Sequence, residues 1–85
     1  MQLDEPDVRT AVNRLKRAEG QLSGIIRMLE DGRECRDIVT QLAAVSRALD
    51  KAGFSIVAAG MKKCLESGEE GLDVAEMEKL FLSLA

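Results

Sequence analysis

The chain has 85 residues, of which 46% are hydrophobic and only two are aromatic, and its formal net charge is −3. This length allows one small domain, residues 1–85, and a chain so short often needs a metal, a disulfide or oligomerisation to complete its core. No apolar run reaches the roughly 18 residues of a membrane span, and the acidic N-terminus does not resemble a signal peptide. We therefore expect a cytoplasmic protein that does not associate with a membrane.

The first predicted helix runs from about Pro6 to Glu30. Pro6 suits the first helical turn, and the acidic residues around it suit the positive end of the helix dipole. Apolar residues recur every seven positions in two interleaved series, which are Val8, Leu15, Leu22 and Leu29, and Ala11, Ala18 and Ile25. This heptad pattern predicts packing along the whole helix. Asp31 and Gly32 predict its end.

The second predicted helix runs from about Glu34 to Glu66. Its apolar residues alternate in spacing between four and three positions: Ile38, Leu42, Val45, Leu49, Ala52, Ile56 and Ala59. Gly53 and Gly60 lie inside the helix and predict a close approach of another helix or a kink. At 1.5 Å per residue, this helix is about 50 Å long. Its own chain cannot cover that length, so we expect two helical hairpins to form an antiparallel four-helix-bundle dimer.

Residues 66–71 predict a loop, and Asp73 with Glu76 resembles a capping box for a short third helix. One face of this third helix carries four apolar residues, Met77, Leu80, Phe81 and Leu84. Nothing in the chain has the alternating pattern of a strand. The predicted fold is therefore all-α, with a three-helix protomer of two long helices and a short third.

The two cysteines are Cys35 and Cys64, and the chain has no histidine. At 100° and 1.5 Å per residue, both lie on the same face of the second helix but about 43 Å apart along its axis. Two antiparallel copies of this helix, related by a twofold axis between Leu49 and Asp50, would bring Cys35 of each copy against Cys64 of the other. A dimer would then carry two identical dithiol sites.

Three interpretations of these thiols remain open from the residues alone. The thiols can be small core residues, a soft two-thiolate Cu(I) site, or a dithiol for redox or sulfur-transfer chemistry. A Zn(II) site usually has three or four ligands. In the dithiol interpretation Cys35 is the attacking thiolate, because it lies in the first turn of the second helix and is flanked by Arg33 and Arg36. Cys64 of the partner subunit is then the resolving thiol.

Basic and acidic residues are segregated along the chain. Residues 9–63 hold eleven Lys or Arg and six Asp or Glu, whereas the two tails hold one basic and nine acidic residues. The basic residues form stripes that lie roughly opposite the apolar seams of the two long helices. An ordinary solvated face is one interpretation, and a phosphate-binding surface is the other.

Three stretches carry a resemblance to a known family. They are Arg14-Leu-Lys-Arg-Ala-Glu-Gly-Gln21, Glu-Cys35-Arg-Asp with Gln41-Leu-Ala-Ala44, and Cys64 near the end of the second helix. These resemble the CsoR/RcnR/FrmR repressors, bacterial all-α regulators of transcription, over about residues 8–84. The resemblance implies a dimer-of-dimers homotetramer that binds operator DNA and releases it when an inducer binds.

The resemblance also points to an inducer. Copper sensors of the family carry a histidine four residues before the second cysteine, where this chain has Gly60. Glu34 replaces a common aromatic residue, and Leu80 replaces an acidic residue expected in the third helix. What remains, the two cysteines and a basic face, is similar to the persulfide-sensing CstR-like branch, which acts without metal.

Together these features predict a DNA-binding repressor of transcription, not an enzyme, with no cofactor. Persulfide or polysulfide would transfer sulfur to Cys35, and a di- or polysulfide bridge to Cys64 of the partner subunit would lead to derepression. The alternatives are a Cu(I)-sensing repressor that uses these two thiolates, a sulfur-carrier or thiol protein without DNA binding, and a structural dimer with inert thiols. The predicted DNA-binding residues are Arg14, Arg17 and Lys51, followed by the weaker candidates Arg9, Lys16 and Arg47.

Overall fold

The computed structural model describes residues 2–67 and 74–84, which form three α-helices and no strand. The helices are α1 (Glu5–Glu30), α2 (Cys35–Ser67) and α3 (Val74–Leu84). The bounds of α1 and α2 lie within one residue of the predicted ones, which confirms the all-α prediction. Glu66 and Ser67 belong to α2 and not to the predicted loop. The rest of that loop and Asp73 of the predicted capping box lie outside the described residues.

A Schellman turn ends α1 where Asp31 and Gly32 predict it. The backbone N–H of Arg33 donates to the carbonyl of Met28 at 3.0 Å, and that of Gly32 donates to the carbonyl of Leu29 at 3.2 Å. Gly32 has a φ of 68°, a left-handed conformation that glycine adopts without a Cβ penalty. The chain therefore reverses within residues 31–34, and α2 runs back along α1.

An ion pair joins the two helices at the open end of this hairpin. Asp4 is the N-cap residue of α1, but its side chain makes no capping hydrogen bond. Its Oδ1 accepts instead from Lys63 Nζ at 2.6 Å. The pair places the start of α1 beside the last third of α2, as an antiparallel hairpin requires. Because both side chains are partly exposed, it contributes no more than about 1 kcal/mol.

Small residues hold α1 and α2 close together. Ala18 is 2% exposed and Ala52 is fully buried. Only one heptad series of α1 is buried, the one with Ala11, Ala18 and Ile25, while the series that begins with Val8 and ends with Leu29 is 41–60% exposed. In α2, likewise, Val45 and Ala52 are buried but Leu42 and Leu49 are about half exposed. Half of each predicted seam thus lies outside the protomer core.

The third helix packs against α2 and not against α1. Met77 is buried, and the rings of Phe54 and Phe81 lie 5.2 Å apart between their centroids. A Cβ at Gly53 would lie 3.0 Å from Cδ1 of Leu84, which confirms the close helix approach predicted at this glycine. α3 therefore covers the C-terminal half of α2.

The protomer is elongated, with extents of 52 × 24 × 13 Å. The longest extent matches the length of about 50 Å predicted for the second helix. Among the described helices, none combines the length and the apolar character that crossing a membrane requires.

The close packing at Ala18 predicts a stability effect. Ala18→Leu would force α1 away from α2, and we expect a loss of about 1–3 kcal/mol in the free energy of unfolding, measured by chemical denaturation. Ala43→Leu is the matched control on the exposed side of α2, with an expected change within about 0.5 kcal/mol. Equal stability of the two variants would contradict the close helix packing.

Candidate functional site

A basic groove of about 470 Å³ lies between α1 and α2. We call it the central groove, and its lining residues are Arg14, Arg17, Gln21, Ala44, Arg47, Ala48 and Lys51. The lining contains four cations and no carboxylate. It therefore includes all three of the first DNA-binding candidates and one of the weaker ones.

Helical periodicity explains why these residues meet. Arg14, Arg17 and Gln21 are three and four positions apart and so share one side of α1, and the α2 residues of the groove share one side of α2 in the same way. Because the hairpin is antiparallel, Arg14 lies level with Lys51 and Gln21 lies level with Ala44. The two alanines of the groove are half-buried and the cations are exposed, so the cations can reach a ligand from both helices.

The charge of the central groove is uncompensated within the protomer. Among the described residues, none of its four cations has an ion-pair or hydrogen-bond partner. Like charges in one groove repel each other, and an anion placed between them removes that repulsion. The arginine guanidinium also binds phosphate in a bidentate manner. The groove therefore fits a polyanionic ligand.

Arg9 and Lys16 lie outside this groove. Both are about 80° or more around α1 from each of the groove residues of that helix. Arg9 Nη2 also pairs with Glu5 Oε1 at 3.2 Å, on the exposed surface of the first two turns. The structure thus separates these two weaker candidates from the other four.

A second groove, of about 430 Å³, continues the first one toward the α1–α2 turn. We call it the turn groove, and it is lined by Gln21, Gly24, Ile25, Arg27, Met28, Asp31, Arg33 and Gln41. Gln21 lines both grooves. The sequence patterns did not predict this site. The sequence feature that could have predicted this groove is the spacing of three and four residues that continues from Arg14 through Gln21 to Gly24 and Met28. This spacing is easily overlooked because the residues have no chemical property in common.

The two cysteines are free and lie near opposite ends of α2. Cys35 is the first residue of the helix and is exposed, whereas Cys64 is buried, at 9% exposure. The separation of about 43 Å along the helix prevents a bond between them within one protomer. Gly60 is buried one turn before Cys64 and has no side chain that could act as a ligand.

The thiols and the central groove occupy opposite sides of α2. At 100° per residue, Cys35, Leu42, Leu49 and Cys64 fall within about 60° of one another, and the groove residues of α2 are centred roughly 180° away. Leu42 and Leu49 are about half exposed. An exposed apolar stripe therefore runs from Cys35 to Leu49 on this side of α2, whereas farther along the same side Gly53 packs against α3 and Cys64 is buried.

The donor set of this site limits the metals that fit it. Within the described part of the protomer, no three or more His, Cys, Asp or Glu residues lie close enough together to hold a metal ion. Two thiolates from two protomers would suit Cu(I), which prefers soft sulfur ligands. They would not complete the four-coordinate set that structural zinc usually has.

The family described as "Metal-sensitive transcriptional repressor" matches residues 7–83 of this chain. The chain belongs to this family. Its membership confirms the predicted resemblance to the CsoR/RcnR family.

Known members of this repressor family resemble the chain in sequence and in structure. The copper-sensing transcriptional repressor CsoR of Mycobacterium bovis (strain BCG / Pasteur 1173P2) is 36% identical over 73 residues, which are 85% of this chain and 61% of that protein. The nickel-responsive transcriptional regulator InrS has a TM-score of 0.78 and 27% identity, with 100% of this chain and 98% of that chain covered. The copper-sensing repressor CsoR with Cu(I) from Geobacillus thermodenitrificans NG80-2 has a TM-score of 0.78 and 26% identity, with 98% and 91% covered.

These relatives differ from this chain in length and from one another in the metal they sense. The chain spans 50–61% of the length of the first copper-sensing relatives it matches. One structural relative responds to nickel and the other senses copper. Family membership therefore does not identify the inducer, which has to be argued from the two thiols.

The unequal exposure of the two thiols predicts unequal labelling. In the reduced repressor, we expect a maleimide reagent to modify Cys35 before Cys64, because Cys35 is exposed and Cys64 is buried. Peptide mass spectrometry at increasing labelling times gives both rates, and the unfolded protein is the control in which the rates converge. Faster labelling of Cys64 in the folded protein would contradict the burial of Cys64.

Proposed function

We propose that this repressor binds operator DNA in the cytoplasm through the central groove, and that reactive sulfur releases it by bridging Cys35 to Cys64 of the partner subunit. The observation that carries the DNA part of the proposal is the set of four uncompensated cations in one groove. A transcriptional repressor needs a surface for nucleic acid, and this groove has the charge that phosphates require.

The shape of the hairpin favours contact with the DNA backbone. Along the described helices, α1 and α2 pack against each other and α3 packs against α2, so none of them projects as a separate recognition helix. Arg14 and Arg17 approach the groove from α1, and Arg47 and Lys51 approach it from α2. Phosphate contacts of this kind set the position and orientation of a protein on the duplex.

The exposed half of each apolar seam supports the assembly that the sensing site needs. About half of the surface of each of these side chains is exposed in the protomer: the Val8 series on α1, and Leu42 and Leu49 on α2. Covering them with a second hairpin gives an antiparallel four-helix-bundle dimer, and the family resemblance extends this to a dimer of dimers. Since Leu42 and Leu49 lie between the thiols on α2, such an antiparallel dimer would bring Cys35 near Cys64 of the partner subunit.

The atoms and electrons of the sensing reaction balance when a persulfide is the only co-reactant. The Cys35 thiolate attacks the outer sulfur of a persulfide, a Cys35 persulfide forms, and the donor leaves as a thiol. Cys64 of the partner subunit then attacks Sγ of Cys35, and the outer sulfur leaves as hydrosulfide. Two thiols are oxidised to a disulfide and one sulfane sulfur is reduced to sulfide. If both cysteines carry a sulfane sulfur first, hydrogen sulfide leaves and a trisulfide remains.

The bridge can act on DNA binding because α2 carries both functions. Arg47 and Lys51 lie on α2 between Cys35 and Cys64. A covalent bridge at each end of the helix restrains α2 against the partner subunit and changes the relative position of the grooves in the dimer. Linkage requires that the bridged state bind DNA more weakly, by about 1.4 kcal/mol for each tenfold loss of affinity.

A Cu(I) sensor is the second candidate, and the copper-sensing relatives favour it. In this case, Cys35 and Cys64 of the partner subunit would hold copper as two thiolates, with no third ligand from Gly60. The persulfide proposal is supported by the glycine at this position and by a reaction that needs only two sulfurs.

The groove proposal predicts the effect of removing its α1 cations. Arg14→Ala combined with Arg17→Ala should weaken operator binding and reduce the dependence of log K on log salt by about 2, because two phosphate contacts are lost. The matched control, Arg9→Ala combined with Lys16→Ala, removes the same charge from α1 outside the groove and should change the slope little. Fluorescence anisotropy at several salt concentrations measures both. Operator binding by the groove variant equal to that of the parent would refute DNA contact through this groove.

Polysulfide should link two protomers covalently. Treatment of the reduced repressor should give a dimer on non-reducing gels and in intact-mass analysis, because the two cysteines of one chain cannot meet. Cys35→Ser and Cys64→Ser should each prevent the link, and a mixture of the two variants should restore one bridge per dimer. Operator affinity should fall with the same time course as the bridge forms.

Copper titration separates the two inducers. With a competing chelator present, tight Cu(I) binding that weakens operator binding, with no sulfur bridge after polysulfide treatment, would favour the copper sensor and exclude the persulfide proposal. Bridge formation with loss of operator binding, and no effect of Cu(I) on that binding, would favour the persulfide sensor.

A further inference from the structure

We infer that the turn groove is a second phosphate-binding segment of the same DNA surface, with Arg27 and Arg33 as its cations. This inference rests on the proposed function, because it extends the contact made by the central groove. The ligand is the sugar-phosphate backbone of duplex DNA.

The two grooves are continuous along the hairpin. Gln21 lines both, and the α1 stripe that begins at Arg14 passes through the central groove into the turn groove. From Arg14 to Met28 the stripe covers about 21 Å along α1, and Arg27 borders it in the turn groove. Phosphates of one strand of DNA rise about 3.4 Å per step, so this length matches about six steps. The central groove alone covers about half of that length on α1.

The turn groove carries a net positive charge. Among the described residues, neither Arg27 nor Arg33 has an ion-pair partner. Asp31 is the one carboxylate in the lining, so the ionised side chains of the groove carry one net positive charge. This charge is weaker than that of the central groove but has the same sign. A phosphate would be attracted by the two arginines and repelled by Asp31. Removing the arginines should therefore weaken DNA binding, and removing the charge of Asp31 should strengthen it.

Gly24 leaves the backbone of α1 accessible in the turn groove. A Cβ at this position would meet no atom within 4 Å, so the packing of the described protomer does not require a glycine. Glycine is a poor residue for a helix interior. Its lack of a side chain widens the space between Arg27 and Gln41, where a sugar-phosphate backbone can approach α1.

The first test measures the salt dependence of operator binding. Arg27→Ala combined with Arg33→Ala should reduce the slope of log K against log salt by about 2, if each arginine contacts one phosphate. Asp31→Asn should bind operator DNA more tightly than the parent. The matched control is Lys62→Ala combined with Lys79→Ala, which removes two positive charges outside both grooves.

The second test fills the groove without removing charge. Gly24→Leu should keep or raise the thermal stability of the repressor, because leucine is a better helix former. It should nevertheless weaken operator binding by about tenfold or more, since the new side chain keeps phosphates away from the arginines. Together, a stable fold and weaker binding distinguish loss of contact from loss of structure.

Two results would overturn the inference while the proposed function stands. One is an unchanged salt slope for the Arg27 and Arg33 variant when the Arg14 and Arg17 variant still lowers it. The other is an equal slope change in the Lys62 and Lys79 control, since net charge alone would then explain the effect. If the Arg14 and Arg17 variant also binds like the parent, the proposed function itself fails.

Discussion

The close antiparallel packing of α1 against α2 is the constraint on which the other features depend. Ala18 and Ala52 lie at this contact with almost no exposed surface, so the two helix backbones approach closely along the hairpin. This close packing sets one side of α1 next to one side of α2. The cations on these two sides therefore border the same groove. Larger side chains at the contact would separate the helices and widen the distance between Arg14 and Lys51.

In the proposed function, one helix connects the sensing thiols to the DNA-binding groove. α2 has the thiols and the exposed leucines on one side and the cations of the central groove on the other. The helix begins at Cys35, and Cys64 lies one turn before its end, so restraint at both ends acts on the whole helix. Arg33 lines the turn groove and is separated from Cys35 by one residue. The turn groove is therefore the part of the proposed DNA surface nearest to a sensing thiol along the chain.

Periodicity predicted the helices well because it depends on local backbone geometry. The apolar spacing and the residues at the helix ends predicted the bounds of α1 and α2 to within one residue. Gly32 predicted the end of α1, where it adopts a left-handed conformation. The close approach at Gly53 was also predicted, although its partner, Leu84, was not. The turn groove was missed because its lining combines two helices with the turn that joins them, and its residues have no single chemical property to reveal it.

By itself, the sequence determined three helices, the separation of the thiols along α2 and a basic body between acidic tails, because these follow from residue spacing and charge. Only the tertiary structure decided which half of each apolar seam is buried, since spacing defines a helix face but not the neighbour that covers it. It also grouped Arg14 and Arg17 with Lys51 and separated them from Lys16. That grouping depends on the register between α1 and α2, which the Schellman turn and the small residues at the helix contact establish in three dimensions.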